Sequence, residues 1–574
     1  MPGPVMASPD DEFARTASSV VNTPSDVERV DAEPSPPQGS SAEDGTEYPS
    51  GMSVVLVMAS VWLAFFLVAL DRTILATAIP RITDQFNSLD DVGWYASAYM
   101  LTGCSAQLLY GRIYKFYSTK WVFLISVSLF ELGSLVCGTA PNSIALIIGR
   151  AIAGIGAAGI FSGGMMVMIH TVPLHRRPVY AGIFGATFGI ASVIGPLLGG
   201  AFTQKLKWRW CFYINLPIGG LAIAVATVMM KLPGQKDKLT LKQHFTQLDP
   251  LGTIVFLPSI VCLLLALQWG GTTYDWNSGR IIALLVVFSV TIVAFAAIQV
   301  WNKEAAMVPP HILTQRTIAS GAWFTLTCTA SMTLMVYFLP IWFQAVEGST
   351  ALHSGIQLLP LVLSVLVASI VAGKLTQRIG YYVPAMFFAS IVAPIGAGML
   401  TTLHPDSNHS TWIGFQVLYG IGLGASVQAA LIAAQAALPK SDVAIGTAII
   451  NFSQQFGGAL FVSVGENLFL NNLASGLKNI PGLDVTSIVN TGATELRHAV
   501  PAQYLPQVLS TYNHALMKTM TVAAAMSALS ILGAACIEWK NIKKDKKDRK
   551  GDKQPTETSS STTAEKVGDS ASNV

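Results

Sequence analysis

The sequence predicts an all-α, polytopic membrane protein with fourteen transmembrane helices in two six-helix bundles and an extra helix pair between them. Three observations carry that expectation: scarcity of charge, a run of long apolar stretches, and an internal repeat. Of 574 residues, 52% are hydrophobic and 12% charged, against about 25% charged in ordinary soluble chains. The two tails hold 28 of the 67 charged residues, which leaves 8% charged across the 486 residues between them. A water-exposed surface cannot be covered at that density, so the central region is built for lipid.

Residues 1–50 are rich in Pro, Ser, Asp and Glu, and read as a disordered cytoplasmic tail too poor in apolar groups to offset ordering entropy. Their acidity excludes a signal peptide. The apolar stretches that follow are 53–79, 94–112, 121–138, 144–168, 179–201, 212–230, 250–268, 280–300, 320–342, 355–375, 383–402, 412–436, 444–468 and 517–537. Each can cross about 30 Å as a helix, the form that satisfies the backbone within the segment. Residues 538–574 form a basic tail, whose Lys540–Lys553 run either grips anionic lipid or only anchors the topology.

Orientation follows from lysine and arginine in the loops. With both termini cytoplasmic, inner segments carry 22 of them and outer loops six. The repeat pairs Gly111–Ser118, after the second span, with Gly373–Gly380, after the tenth. It also pairs Gly154 and Gly156 of the fourth span with glycines among Gly420, Gly422 and Gly424 of the twelfth. The offsets, 262 and 266 or 268, argue for duplicated halves at 51–231 and 320–537, with 250–300 inserted between them.

Other classes are disfavoured. A net charge of +3 is too small for a nucleic-acid binder. The six cysteines form no CxxC pair and the nine histidines no i, i+4 pair, so neither a metal nor a disulfide frame is expected. No GxxxxGK[ST] phosphate loop is present, and no cofactor is expected. A nucleophile–base constellation is also lacking, so the chain does not read as an enzyme.

The chemistry has to lie in charges stranded inside spans: Asp71, Arg72, Glu131, Arg150 and Glu466. Each costs about 2.5–3.5 kcal/mol to insert at a helix centre. Asp71 and Arg72 are adjacent, about 100° apart on a helix, and so do not pair on one face. Either Arg72 snorkels with Asp71 near the outer interface, or Asp71 faces a central cavity and takes and releases a proton. Glu131 and Glu466 compete for that role, with structural hydrogen bonding as their alternative. Arg150 needs a carboxylate or backbone carbonyls as partner. Gln344, Gln428 and Gln454 are candidates for substrate contact or for plain helix–helix bonding.

Gly154 to Gly159 matches a GxGxxG pattern, but inside an apolar span it serves close helix packing and not dinucleotide binding. In the fifth span Gly182, Gly185 and Gly189 share a stripe, followed by Gly195, Pro196, Gly199 and Gly200. That composition gives tight packing and a bendable helix. Asn408-His-Ser410 is a glycosylation sequon in an outer loop.

These segments together resemble the major facilitator superfamily, and within it the fungal fourteen-span drug:proton antiporters. LDRTILATAIP (70–80) is similar to that group's first-span motif, RAIAGIGAAG (150–159) to its fourth-span motif and GIASVIGPLLGG (189–200) to its antiporter motif. WRWCFYINLPIGG (208–220) and YFLPIWFQAVEGSTALHSGIQLLP (337–360) resemble the mycotoxin-efflux branch. Two departures stand out: Lys115 occupies a position where the family carries an aspartate latch, and Ala191 replaces a glycine. The resemblance implies a monomeric plasma-membrane exporter that exchanges an amphipathic drug or mycotoxin for protons. Asp71 would be the coupling acid, Glu131 or Glu466 second, and Arg150 the charge partner. A vacuolar basic amino acid or siderophore carrier, and a non-transporting receptor on the same fold, are the alternatives.

Overall fold

A computed structural model describes residues 51–86, 88, 91–230, 247–271, 273–426, 428–478, 480, 485, 488 and 496–543. The expected tail at 1–50, most of the basic tail and the lysine-rich loop after the sixth span lie outside them. The long helices are α1 (Met52–Phe86), α2 (Val92–Phe116), α3 (Thr119–Thr139), α4 (Ser143–Thr171), α5 (Arg177–Lys205), α6 (Asn215–Met229) and α7 (Pro250–Trp269). They continue as α8 (Gly279–Asn302), α9 (Arg316–Trp342), α10 (Leu359–Ile379), α11 (Val383–Leu400), α12 (His409–Ser426), α13 (Val443–Leu477) and α14 (Leu505–Cys536). A turn at Gln428 interrupts the expected twelfth span, which resumes at Ala429–Ala437.

Among the described residues, twelve segments are long and apolar enough to cross a membrane. At the second and thirteenth of the fourteen expected positions stand α2 and α13, long helices that fall short of that apolar level. The reason is location: they pack against each other, and they carry Gln107, Arg112 and Lys115 on one side and Asn451, Gln454, Gln455 and Glu466 on the other. Such residues are tolerated where a helix faces protein and not lipid.

The packing repeats itself. Helix α1 lies against α5 and α6, α2 and α3 against α4, and α3 against α6. In the same relation, α9 lies against α13 and α14, α10 and α11 against α12, and α11 against α14. The main contacts between these groups are α2 with α13 and α5 with α10. The glycines follow this pattern. Gly156 packs on the backbone of Phe130 and Gly422 on that of Ala393, and an offset of 266 aligns the two. Gly111 lies against α13 at Ala444 and Ala448, and Gly373 against α5 at Pro178 and Val179.

Side chains reinforce the crossing contacts at the end where α1 begins. Lys115 Nζ donates to Asp442 Oδ1 at 2.8 Å, Ser369 Oγ donates to the Gly182 carbonyl at 3.1 Å, and Arg177 donates to Gln435 Oε1 at 3.3 Å. The departure at Lys115 therefore has a compensating acid just ahead of α13.

The pair α7–α8 is held by a knot that the sequence did not reveal. Asp249 is 1% exposed and sits in the left-handed region at φ 47°, which aspartate tolerates better than most residues. Its carboxylate accepts from Gly252 N at 3.0 Å, Gln299 Nε2 at 2.9 Å, Asn302 Nδ2 at 2.9 Å and Met307 N at 2.7 Å. One side chain thus joins the start of α7, the end of α8 and the segment leading to α9. The signal was present as Asp before Pro250, an N-cap followed by proline at the first helical position. Helix α8 is otherwise largely exposed and packs mainly on α7.

The Lys115–Asp442 pair predicts a charge-swap result. With a reporter cysteine at Ala444, Lys115→Asp should raise the alkylation rate at that position several-fold, measured by peptide mass spectrometry. The double variant K115D/D442K should return it to the reference rate.

Candidate functional site

Helix α1 carries Asp71 about 28 Å from its start, nineteen residues along. Helix α4 runs past it because Gly154, on α4, packs directly on the α2 backbone at Tyr99, with Thr102 Oγ1 donating to the Ala151 carbonyl at 2.8 Å. A larger residue at 154 would push α4 away. This close approach sets Arg150 against Asp71: Nη1 donates to Asp71 Oδ2 at 2.5 Å, and Nε donates to the Tyr95 carbonyl at 2.8 Å. The Arg150 guanidinium also lies 4.4 Å from the centroid of the Tyr99 ring. Both charged side chains are almost fully buried, and Asp71 Oδ1 has no hydrogen-bond partner. Of the two kinds of partner the sequence left open for Arg150, it has one of each.

Arg72, one residue on, points elsewhere. It lies over the rings of Tyr99 at 5.3 Å and Phe161 at 5.6 Å. Its Nη1 donates to Gln455 Oε1 on α13 at 3.3 Å, across the α2–α13 side of the molecule. Among the described residues it makes no ion pair. The sequence singled out Gln454, which is half-buried; the residue that meets Arg72 is its neighbour Gln455. An arginine in a span with no acid one turn away was the available signal.

Glu131 is 8% exposed between α3 and α6, stacked over Gly219, with neither carboxylate oxygen hydrogen-bonded. One turn along, Asn215 Nδ2 donates to Ser134 Oγ at 3.1 Å. Asp71 is within electrostatic reach of Glu131. Glu466 is half-buried on α13, within reach of Tyr337 on α9 and apart from the others. The structure therefore gathers Asp71, Arg72 and Arg150 at one place, with Glu131 on α3 against Gly219 of α6 and Glu466 on α13.

The remaining expected positions spread out. Gln344 donates to Ser354 Oγ at 2.9 Å beyond the end of α9. Gln428 sits at the turn before Ala429–Ala437 with its Oε1 buried and unpartnered. On α5, Gly182 and Gly189 face α10 at Ser369 and Val362, Gly195 and Gly199 face α1 at Thr73 and Ile74, and Gly185 is buried. Gly200 has open space beside it. Pro196 lies inside α5, and Thr73 Oγ1 donates to the Ala191 carbonyl at 3.0 Å one turn before it. Asn408 is exposed in the loop immediately before α12.

The buried Asp71–Arg150 pair and the Arg72 guanidinium thus meet around the Tyr99 ring, with Phe161 on the other side of Arg72. That arrangement belongs to a membrane transporter. Residues 61–462 match the Major Facilitator Superfamily family model, and the chain belongs to that family, whose members are transporters and not enzymes. It is 52% identical over 497 residues to the MFS-type efflux pump MFS1 of Trichophyton rubrum, covering 86% of this chain and 93% of that one. It is 50% identical over 509 residues to the efflux pump aflT of Aspergillus parasiticus, covering 88% and 99%. With the rubrofusarin-specific efflux pump aurT of Gibberella zeae it shares 47% over 500 residues, covering 87% and 92%. Among solved structures it is similar in fold to the proton:xylose symporter XylE, at TM-score 0.51 and 13% identity over 82% of this chain and 94% of that one.

The buried pair predicts non-additive stability. Arg150→Met leaves a buried carboxyl without its partner, which should cost about 3–5 kcal/mol. The double variant D71N/R150M should recover part of that loss. Thermal unfolding in detergent, followed by tryptophan fluorescence, measures both.

Proposed function

We propose that this chain exports an amphipathic small molecule, a drug or fungal secondary metabolite, across the plasma membrane in exchange for protons. The observation that carries the reading is the Asp71–Arg150 pair, buried between α1 and α4 with one carboxylate oxygen unpartnered. A proton arriving at Oδ1 neutralises Asp71 and weakens its bond to Arg150. Departure of the proton restores the pair. The two protonation states therefore favour different packings of α1 on α4, which is what coupling requires. Kinship at about half identity to proteins named as efflux pumps supports the direction of transport.

The energetics allow it. A hundredfold outward gradient of neutral substrate costs about 2.8 kcal/mol. One proton entering down about 100 mV supplies about 2.3 kcal/mol before any pH gradient is added. Glu131, buried with neither carboxylate oxygen hydrogen-bonded, is the second proton site in this scheme, and Glu466 stands on α13.

The proposed architecture is fourteen spans: halves at 51–231 and 320–537, an inserted pair at 250–300, and both termini cytoplasmic. The matched packing of α1–α6 and α9–α14 supports it, as does the basic character of the loops. On that orientation the end joined by Lys115–Asp442, Arg177–Gln435 and Ser369–Gly182 is cytoplasmic, and alternating access requires those links to break and re-form. The proposed unit is a monomer, since one chain supplies both halves of the transport path, with substrate, protons and lipid as its proposed partners.

In inside-out vesicles, wild-type protein should accumulate substrate when the lumen is acidified. Asp71→Asn at equal expression should lose at least nine-tenths of that ΔpH-driven uptake. Full retention would transfer the coupling role to another acid.

A further inference from the structure

We infer that Arg72 is the anion-recognition point of the transport site, and that the cargo is a planar aromatic molecule carrying a negative charge as phenolate or carboxylate. The inference rests on the transporter reading above and specifies its substrate class.

Charge accounting comes first. The Arg150 guanidinium has Asp71 at 2.5 Å, so that pair cancels. Glu131 is enclosed between α3 and α6, and Glu466 is half-buried eleven residues further along α13 than Gln455. Of the two stranded cations, Arg72 is the one with no ion pair among the described residues; it has the amide Gln455 Oε1 at 3.3 Å, the Tyr99 side chain and the Phe161 ring, and a buried Nε with no acceptor. A guanidinium in this setting is incompletely satisfied and recruits a carboxylate or phenolate with its planar donor fork.

The surroundings then select the body of the ligand. Positions 62, 65, 69 and 72 share one face of α1, by their spacing of three, four and three. Phe65 on this face stacks on Phe184 at 4.6 Å and 17°. It also meets Phe161 edge-on at 5.0 Å, and Phe161 stacks on Phe188 at 5.7 Å and 13°. On α13, beside Gln455, Phe452 and Phe456 stack at 5.5 Å and 12°. Phe65 and Phe184 are buried behind this face, so the partly exposed rings of Phe161, Phe188, Phe452 and Phe456 are the faces that accept a flat ring by offset stacking, and Phe161 lies under the Arg72 guanidinium itself. A cation-bearing cargo would meet Arg72 with like charge, and an aliphatic one would leave the stacking faces unmatched. An anionic cargo also leaves the cell down an inside-negative potential, so it assists the exchange instead of opposing it.

The test uses the purified full-length protein in nanodiscs at pH 7.4, with tryptophan quenching by 1-hydroxy-2-naphthoate and by its neutral isostere 1-hydroxy-2-naphthamide. Wild-type protein should bind the naphthoate at least tenfold more tightly than the amide. Arg72→Gln should bring that ratio within threefold, and Arg72→Lys, which keeps the charge, should retain most of it. A wild-type ratio near one, a preference for the amide, or an unchanged ratio in Arg72→Gln overturns the inference. Should Arg72→Gln fail to fold, a loss of the ratio in Arg72→Lys would likewise count against a charge-based role. Binding at equilibrium needs no gradient. Failure here with intact ΔpH-driven uptake removes the anion inference alone, while a proton-independent transporter would leave it standing.

Discussion

A charge placed in hydrocarbon has to be answered from within the protein, and the Asp71–Arg150 pair is where this chain answers it most completely. To bring a residue of α1 against one of α4, α2 and α4 must approach until Gly154 touches the Tyr99 backbone. That approach delivers the Tyr95 carbonyl to Arg150 Nε and the Tyr99 ring to its flat face. The glycine-rich composition of α4 is therefore part of the electrostatic solution. Neighbouring features inherit their places from it: Arg72 is turned about 100° away from Asp71, toward α13.

The same logic explains the seams. Helices α2 and α13 are the more polar of the long helices because they pack on each other, and α5 and α10 make the corresponding contact on the other side. Both seams are lined by small residues where backbones meet, Gly111 and Ala444 in one, Gly182 and Ser369 in the other. Small residues on both faces let the backbones approach closely at these points, while apolar side chains such as Tyr110, Tyr114 and Ala444 pack across the α2–α13 seam. The bonds that cross them are few and polar.

Much of this was legible in sequence. Periodic apolar length marked the helices, and the repeat marked equivalent glycines, because both are local properties of the chain. Arg150 had to find a partner, and the partner is one of the other four stranded charges. What sequence could not supply is which distant segments meet. Lys115 and Asp442 are 327 positions apart and Arg72 and Gln455 are 383 apart, so no local pattern links them. Gln455 and not Gln454 reaches Arg72 because of how α13 is rotated, a 100° choice that composition does not encode. Asp249 escaped notice for a different reason: it stands at the edge of an apolar run, where an acid looks like an ordinary loop residue.

The α7–α8 pair has a bearing on the membrane itself. Helix α8 has 24 residues and so spans about 36 Å, against about 30 Å of hydrocarbon. It packs mainly on α7 and is tethered at one end by the Asp249 knot, so any tilt of α8 is set by its packing on α7. Through Asp249 the end of α8 is joined to the segment that leads into α9. A load on the far end of the exposed α8 is therefore passed to α9 through one buried carboxylate, and not through a packed core.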